Sequence, residues 1–445
     1  MTLANDIASF TTQLTYDELP ADVRDRVGLV VADTFGAIVG GASTEPVHSL
    51  SDRYHRTEAG PVPVLGTDVQ LPVNRGALCN GIAGVVLELD EGHKMAAGHP
   101  SIHVLPAVLA VAERDDLSGE AFVTAFVAGY ETAVRIARGC TPLADGYHPH
   151  GVWGVVGAAA AVAHATNLDR SQTTNALRMA ANHAQHTRFE AALEGATVRD
   201  TYAAMNAPAA LFAVEQAAAG FTGLEDGISR HLEGITAEGV DPAPVETLGD
   251  RWEITNGYFK VHAACRYTHP TLDALEDLLE SESIQPDTVS SVTVETYPAA
   301  ATLTETNPTT RLEAKFSIPF AVATRLINGG SGKDAFEPHA ITGRTRELAQ
   351  RVSVTSTQRF TDALPDSRGA RVAVALEDGT EHTRTVTQAR GGSERPITEA
   401  QLREKFRSLT EPTLGEEKAL EAWEVLREPT TVPVSSLTRA CRPDT

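Results

Sequence analysis

Residues 104–138 read VLPAVLAVAERDDLSGEAFVTAFVAGYETAVRIAR. The stretch holds two apolar blocks of helix length, 104–114 and 120–138, separated by an acidic Asp115-Asp116 step. In the second block Phe122, Phe126, Tyr130 and Val134 recur every four residues, the period of a helix and not of a strand. Ser118 to Phe122 (SGEAF) supplies a helix start. The same texture extends outward in both directions, over 26–39, 151–164, 171–184 and 203–219. Alanine and glycine abound in these blocks, which predicts helices packed closely against one another.

The texture changes after Gly257. A helix is predicted over 271–280, then alternating Val289, Val292 and Val294 read as a strand. Further strand signals fall at 351–354, 371–376 and 381–386, the last two joined by Asp378-Gly379, a hairpin turn. A helix is predicted over 316–327. Thr398 with Gln401 forms a capping box that opens a C-terminal helical tail. At 445 residues the chain exceeds one ordinary domain. The expected fold is therefore mainly α. A large all-helical domain, 1–257 completed by 398–445, carries an inserted smaller α+β domain over 258–397.

Hydrophobic residues make up 42% and charged residues 22%, a globular balance. The start, MTLANDIASFTTQL, has neither a basic region nor a long apolar run, so no secretory leader is expected. The weakly polar run 151–164 is too short to span a membrane. Four scattered cysteines, Cys79, Cys140, Cys265 and Cys441, lack ligand spacing and fit a reducing cytoplasm. The net charge is −22, with six lysines against thirty-one arginines. Such a surface repels nucleic acid and anionic membranes, and it fits a salt-rich cytoplasm that screens the repulsion. A site for an anionic substrate must then gather its positive groups locally.

Upstream of the helical block, 87–106 reads LELDEGHKMAAGHPSIHVLP. Glu88, Asp90, Glu91, His93, His99 and His103 fall within sixteen residues, with Gly92, Gly98 and Pro100 interrupting regular structure. Carboxylates beside imidazoles at a helix start are what proton transfer needs, although a solvated acidic turn reads the same way. A second segment, 260–273 (KVHAACRYTHPTLD), places Lys260, His262, Arg266 and His269 where the helical texture ends. Ligand sites favour such seams. Arg199-Asp200-Thr201-Tyr202 forms a third cluster, in which Arg199 can hold a carboxylate by two hydrogen bonds. His148-Pro149-His150 is a loop before a buried helix. Gly329 to Lys333 departs from a phosphate loop, with Asp334 in the Ser/Thr place, and no GxGxxG follows a strand. No third ligand is well spaced beside His99 and His103, so no metal is expected.

Seven motifs in order resemble the MmgE/PrpD family over nearly the whole chain. They are Asp33-Thr34-Phe35-Gly36, the 87–91 acidic segment with Gly98-His99-Pro100-Ser101, Gly129-Tyr130-Glu131, Gly146-Tyr147-His148-Pro149, Gly220-Phe221-Thr222-Gly223, Cys265 to Pro270, and Ala314-Lys315-Phe316-Ser317. The family includes 2-methylcitrate dehydratase, cis-aconitate decarboxylase and an iminodisuccinate epimerase. The resemblance implies a helical domain with a smaller lid, usually a homodimer, with the site between the two. It also implies proton removal next to a carboxylate without metal or organic cofactor, on a small anionic carboxylate substrate.

By the same resemblance His99 falls on the family's site histidine and Lys260 on a site lysine. His99 is then the general base or acid, Asp90 or Glu88 orients it, and Lys260 grips a carboxylate or stabilises the intermediate. Arg199, Tyr202, Arg266, His269, His148 and Cys265 would surround the substrate. The chain departs from the well-known members at four places. Arg199 stands for a lysine, Tyr202 for a histidine, Cys265 for the decarboxylase's second histidine and Phe320 for a tyrosine. The expected activity is a cofactor-free hydro-lyase on a hydroxy di- or tricarboxylate, resembling 2-methylcitrate dehydratase. An epimerase or decarboxylase on a related substrate is the alternative, and a non-catalytic carboxylate-binding protein is the alternative of another class.

Overall fold

The computed structural model describes residues 2–140 and 142–444. Its helical part is built around α1 (Ala21–Ala42), α2 (Val73–Val86), α3 (Pro100–Arg114), α4 (Gly119–Gly139), α5 (Gly154–Ala165), α6 (Arg170–Asn182) and α7 (Asn206–Ala218). Ser118 caps α4 by accepting from the Ala121 N–H. Phe122, Phe126, Tyr130 and Val134 are all buried, as their spacing predicts, but so are the residues between them. The helix is surrounded rather than laid on a surface. Gly129 and Gly157 make the α4–α5 crossing possible. A Cβ on Gly129 would come within 2.6 Å of the Gly157 carbonyl and of Ala161. Among the described residues, no single helix is long and apolar enough to cross a membrane.

A second hydrophobic core lies apart from the first. It gathers α8 (His269–Ser281), β1 (Val289–Thr296), α9 (Ile318–Asn328), β2 (Val352–Ser356), β3 (Ala370–Leu376) and β4 (Glu381–Val386). The strand order is β2-β1-β3-β4. The β3–β4 hairpin turns at Gly379 (φ 87°), as the Asp-Gly signal predicts. The β1–β2 pair is parallel, Val292 opposite Val352, which the sequence did not announce. Val292 and Val294 point into the core while Ser291 and Thr293 do not, the alternation of a half-buried sheet.

The chain then returns to the helical part. Thr398 and Gln401 complete the capping box of α10 (Glu399–Leu414). Phe406 of α10 fills the space left by Gly36 of α1, where a Cβ would lie 2.7 Å from the ring. One departure concerns α3. Pro100 does not interrupt this helix but opens it, with His99 at the N-cap, so His103 sits inside its first turns. Proline suits that position because its missing N–H would be unpaired there anyway.

Candidate active site

Two segments meet to form the site. The turn after α2 carries Glu88 at φ 56°, a left-handed conformation that costs a non-glycine residue about 1 kcal/mol or more. Surrounding groups hold it there. Lys315 Nζ donates to the Val86 and Leu87 carbonyls at 3.3 and 2.9 Å. Lys405 Nζ donates to the Leu89 carbonyl and to Asp33, both at 2.6 Å. Tyr130 donates to Glu91 at 2.6 Å. A short antiparallel ribbon, Gly92 opposite Tyr258 and His93 opposite Gly257, then draws the second segment alongside. Lys260 arrives beside residues 88–90 by this pairing.

The result is a compact, fully buried charge cluster. Lys260 Nζ donates to Glu88 Oε2 at 2.8 Å and lies 3.8 Å from Asp90 Oδ1. Arg199 forms an ion pair with the other Glu88 oxygen and lies 3.7 Å from Asp200. His99 Nδ1 meets Asp90 Oδ2 at 2.7 Å. A carboxylate can only accept, so Nδ1 carries the hydrogen and Nε2 is the basic nitrogen.

Electrostatics follow from burial and pairing. Burial alone would raise the Glu88 carboxyl, but Arg199 and Lys260 outweigh it and hold it well below the carboxylate range. Burial lowers the His99 pKa, opposed by Asp90. His99 is therefore neutral and ready to accept a proton near neutral pH. Burial pushes Glu91 up to about 8, because Tyr130 and the Ser101 N–H offset it only in part. Burial likewise raises the Cys265 thiol to about 11, so it stays protonated.

A cavity of about 610 Å³ opens against this cluster. Glu88, His99, His148, Arg199, Cys265 and Arg266 all line it. Lys260, Asp90, Tyr202 and His269 do not. Lys260 is wholly buried behind Glu88, Asp90 sits behind His99, and Tyr202 packs edge-on against His148 at 5.8 Å. His269 donates from Nε2 to the Ala264 carbonyl and accepts from Arg266 on Nδ1. These four act on the cavity through neighbours. The expectation that Lys260 grips the substrate directly is corrected accordingly, since its ammonium is already committed to Glu88. Phe320 is buried in the helical core and packs on Phe336.

The sequence reading passed over two features. His150 stands at the centre of four imidazoles, 4.8 Å from His99, 4.9 Å from His103 and 4.6 Å from His148 between ring centres. Burial lowers the pKa of His103, His148 and His150 well below the usual value. The His-Pro-His motif was the visible signal. The second feature is Arg368, which lines the cavity from the far side and had no signal at all.

His262, Asp273 and Glu276 bring ligand atoms within 4.8 Å of one another. Arginines already occupy these carboxylates. Arg390 donates to Asp273 at 2.7 Å and pairs with Glu276, which also accepts from Arg325 at 3.0 Å. The arrangement suits an ion-pair network rather than a metal.

Family models for the MmgE/PrpD N-terminal domain and C-terminal domain match residues 5–243 and 262–428. The chain belongs to the MmgE/PrpD family. It is 27% identical to a cis-aconitate decarboxylase-like protein, oryM, of Aspergillus oryzae, over 93% of this chain and 91% of that one. It is 26% identical to the human cis-aconitate decarboxylase, over 92% and 88% of the two chains. The Aspergillus terreus cis-aconitate decarboxylase is 22% identical over 94% and 91%.

Proposed function

We propose that the protein is a lyase acting on a small polycarboxylate, with elimination of water as the leading reaction and no metal or organic cofactor required. The observation that carries this reading is the Asp90–His99 pair at the cavity wall, with a neutral imidazole whose Nε2 is unprotonated. His99 takes the proton on the carbon next to a carboxylate. The electron pair forms the double bond as the neighbouring carbon–oxygen bond breaks. The hydroxyl leaves as water with the proton that His99 returns. Asp90 fixes the tautomer and stabilises the imidazolium during the transfer. Arg199, the cation of the inner cluster that reaches the cavity, stabilises the enolate-like charge.

Decarboxylation is the second reading, favoured by the names of the relatives. There a carbon–carbon bond breaks, carbon dioxide leaves, and the carbanion takes a proton from His99. That reaction must begin with a protonated imidazole, which burial opposes. Residues 258–397 serve as a lid in this reading, supported by the second core that their sheet shares with α8 and α9. Two copies of the chain pair, supported by exposed Phe212, Phe221 and Leu224 on one stretch of the helical part.

The test is a panel of 2-methylcitrate, citrate and cis-aconitate, followed by ultraviolet absorbance for a new conjugated double bond and by product mass. Loss of water that survives chelator and vanishes in His99→Asn supports the hydro-lyase. Loss of carbon dioxide moves the assignment to decarboxylase. Solvent deuterium entering a substrate without a change in its skeleton indicates an epimerase. Silence in every assay leaves a carboxylate-binding protein.

A further inference from the structure

The main cavity has a neighbour of about 310 Å³, and the two share Tyr258, Arg266, Tyr297 and Arg368 in their common wall. Lys94, Arg138 and Arg251 line the smaller one, where Glu394 pairs with Lys94 and Glu253 with Arg138. Most cations of the site are already neutralised. Glu88, Asp90 and Asp200 stand against Arg199 and Lys260, three carboxyl groups against two cations. That inner cluster holds no spare positive charge for a substrate with several carboxylates.

The shared wall does. Arg266 donates to the Arg390 and Ala389 carbonyls at 2.8 and 3.2 Å and lies 4.1 Å from the Tyr258 ring centre. Among the described residues it has no carboxylate within ion-pair distance. Arg368, half-buried in the loop before β3, has neither a hydrogen bond nor an ion pair among the described residues. Burial lowers the Arg266 pKa, and the nearby charge of Arg368 lowers it further. Two guanidinium groups facing one cavity with no carboxylate in ion-pair contact are costly, and a planar fork suits a carboxylate better than any other small anion except phosphate.

The geometry points to Arg266 and Arg368 as a clamp for a substrate carboxylate remote from the reacting carbon. The inference rests on the proposed reaction at His99 for which carboxylate is remote, but not for the binding itself. It assigns the substrate class as one with at least two carboxylates, one at the His99 end and one at the Tyr258 wall. Arg368 supplies specificity from the α+β part, while Arg266 is held in place by backbone carbonyls.

The test uses propane-1,2,3-tricarboxylate, an unreactive tricarboxylate, titrated by calorimetry into the full-length protein. Arg368→Gln is expected to weaken its binding about tenfold or more, the scale of one lost charge-assisted contact. Arg368→Lys should recover part of this, since it keeps the charge but not the fork. In turnover, Arg368→Gln should raise KM far more than it lowers kcat. Equal affinity in the native protein and Arg368→Gln overturns the clamp, as does a native protein that binds no tricarboxylate. Protection of Arg368 from phenylglyoxal by the tricarboxylate, read by mass spectrometry on native protein, gives an answer independent of folding in the variants. Protection supports the clamp, and its absence overturns it. Tight, Arg368-dependent binding without turnover or deuterium exchange on any panel substrate keeps the clamp and removes the proposed reaction.

Discussion

Among the described residues, two buried histidine–aspartate pairs have similar geometry and differ in what they leave free. His99 meets Asp90 at 2.7 Å, and His262 meets Asp273 at 3.0 Å. Around His262 everything is used. Its Nδ1 accepts from Ser331 at 2.6 Å, and Asp273 also accepts from the Arg390 N–H at 2.6 Å and lies 3.9 Å from the Arg395 guanidinium. Around His99 one nitrogen remains, on the wall of the cavity that also holds Glu88 and Arg199. A carboxylate behind an imidazole sets its tautomer in both places. Only an uncommitted second nitrogen turns that into proton transfer.

Replacing each histidine should separate the two roles. His99→Asn is expected to lower kcat by about 10²–10⁴, the usual worth of a general base, with melting nearly unchanged. His262→Asn should do the reverse. It leaves Ser331 and Asp273 with poorer partners in the interior, so stability should fall by about 1–3 kcal/mol. Turnover measured below the melting range should change little by comparison. Denaturant melts and initial rates on both variants check this. A large catalytic defect in folded His262→Asn would erase the distinction between the pairs.

The pH profile sharpens it. Burial lowers the His99 pKa below 6.5, and Asp90 is the strongest influence in the other direction. The rate of a base-initiated reaction should therefore rise with pH through a value below 6.5 and be level at neutrality. Asp90→Asn removes the charge that favours the imidazolium, so the rising limb should move to still lower pH while kcat falls. A limb that stays in place in this variant would assign it to another group.

Much of the fold was legible because it is encoded locally. The four-residue spacing from Phe122 to Val134, the Ser118 and Thr398 caps, and the Asp378-Gly379 turn each depend on neighbours in sequence. The parallel β1–β2 pairing depends on segments some sixty residues apart and left no local trace. The site divides in the same way. Glu88, Asp90 and His99 were visible as one short acidic and imidazole-rich segment. That Lys260 stands behind Glu88 and not on the cavity wall follows from a contact spanning 172 residues, through a ribbon of two residues per strand. The role of Pro100 was misread because the same residue can break a helix or begin one. Arg368 was invisible since a lone arginine before a strand carries no pattern. Only the absence of a partner in space distinguishes it.

The remaining contrast concerns two carboxylates three residues apart. Glu88 is held ionised by two cations, while Glu91 has only the Tyr130 hydroxyl and the Ser101 N–H, at 2.6 and 3.2 Å. Burial then raises the folded-state pKa of Glu91 to about 8, from an ordinary value of 4.5. Between those two values the unfolded chain has lost a proton that the folded chain keeps. The unfolded state binds fewer protons there, so the contribution of Glu91 to stability falls as pH rises through the window and is level below it. One proton limits the slope to about 1.4 kcal/mol per pH unit. Glu91→Gln imitates the protonated side chain and removes the slope, so its stability relative to the native protein should improve from pH 5 to pH 8. Denaturant melts at both pH values measure the difference. If it does not change with pH, Glu91 is ionised in the folded protein, and the contrast with Glu88 lies in their partners alone and not in their charge.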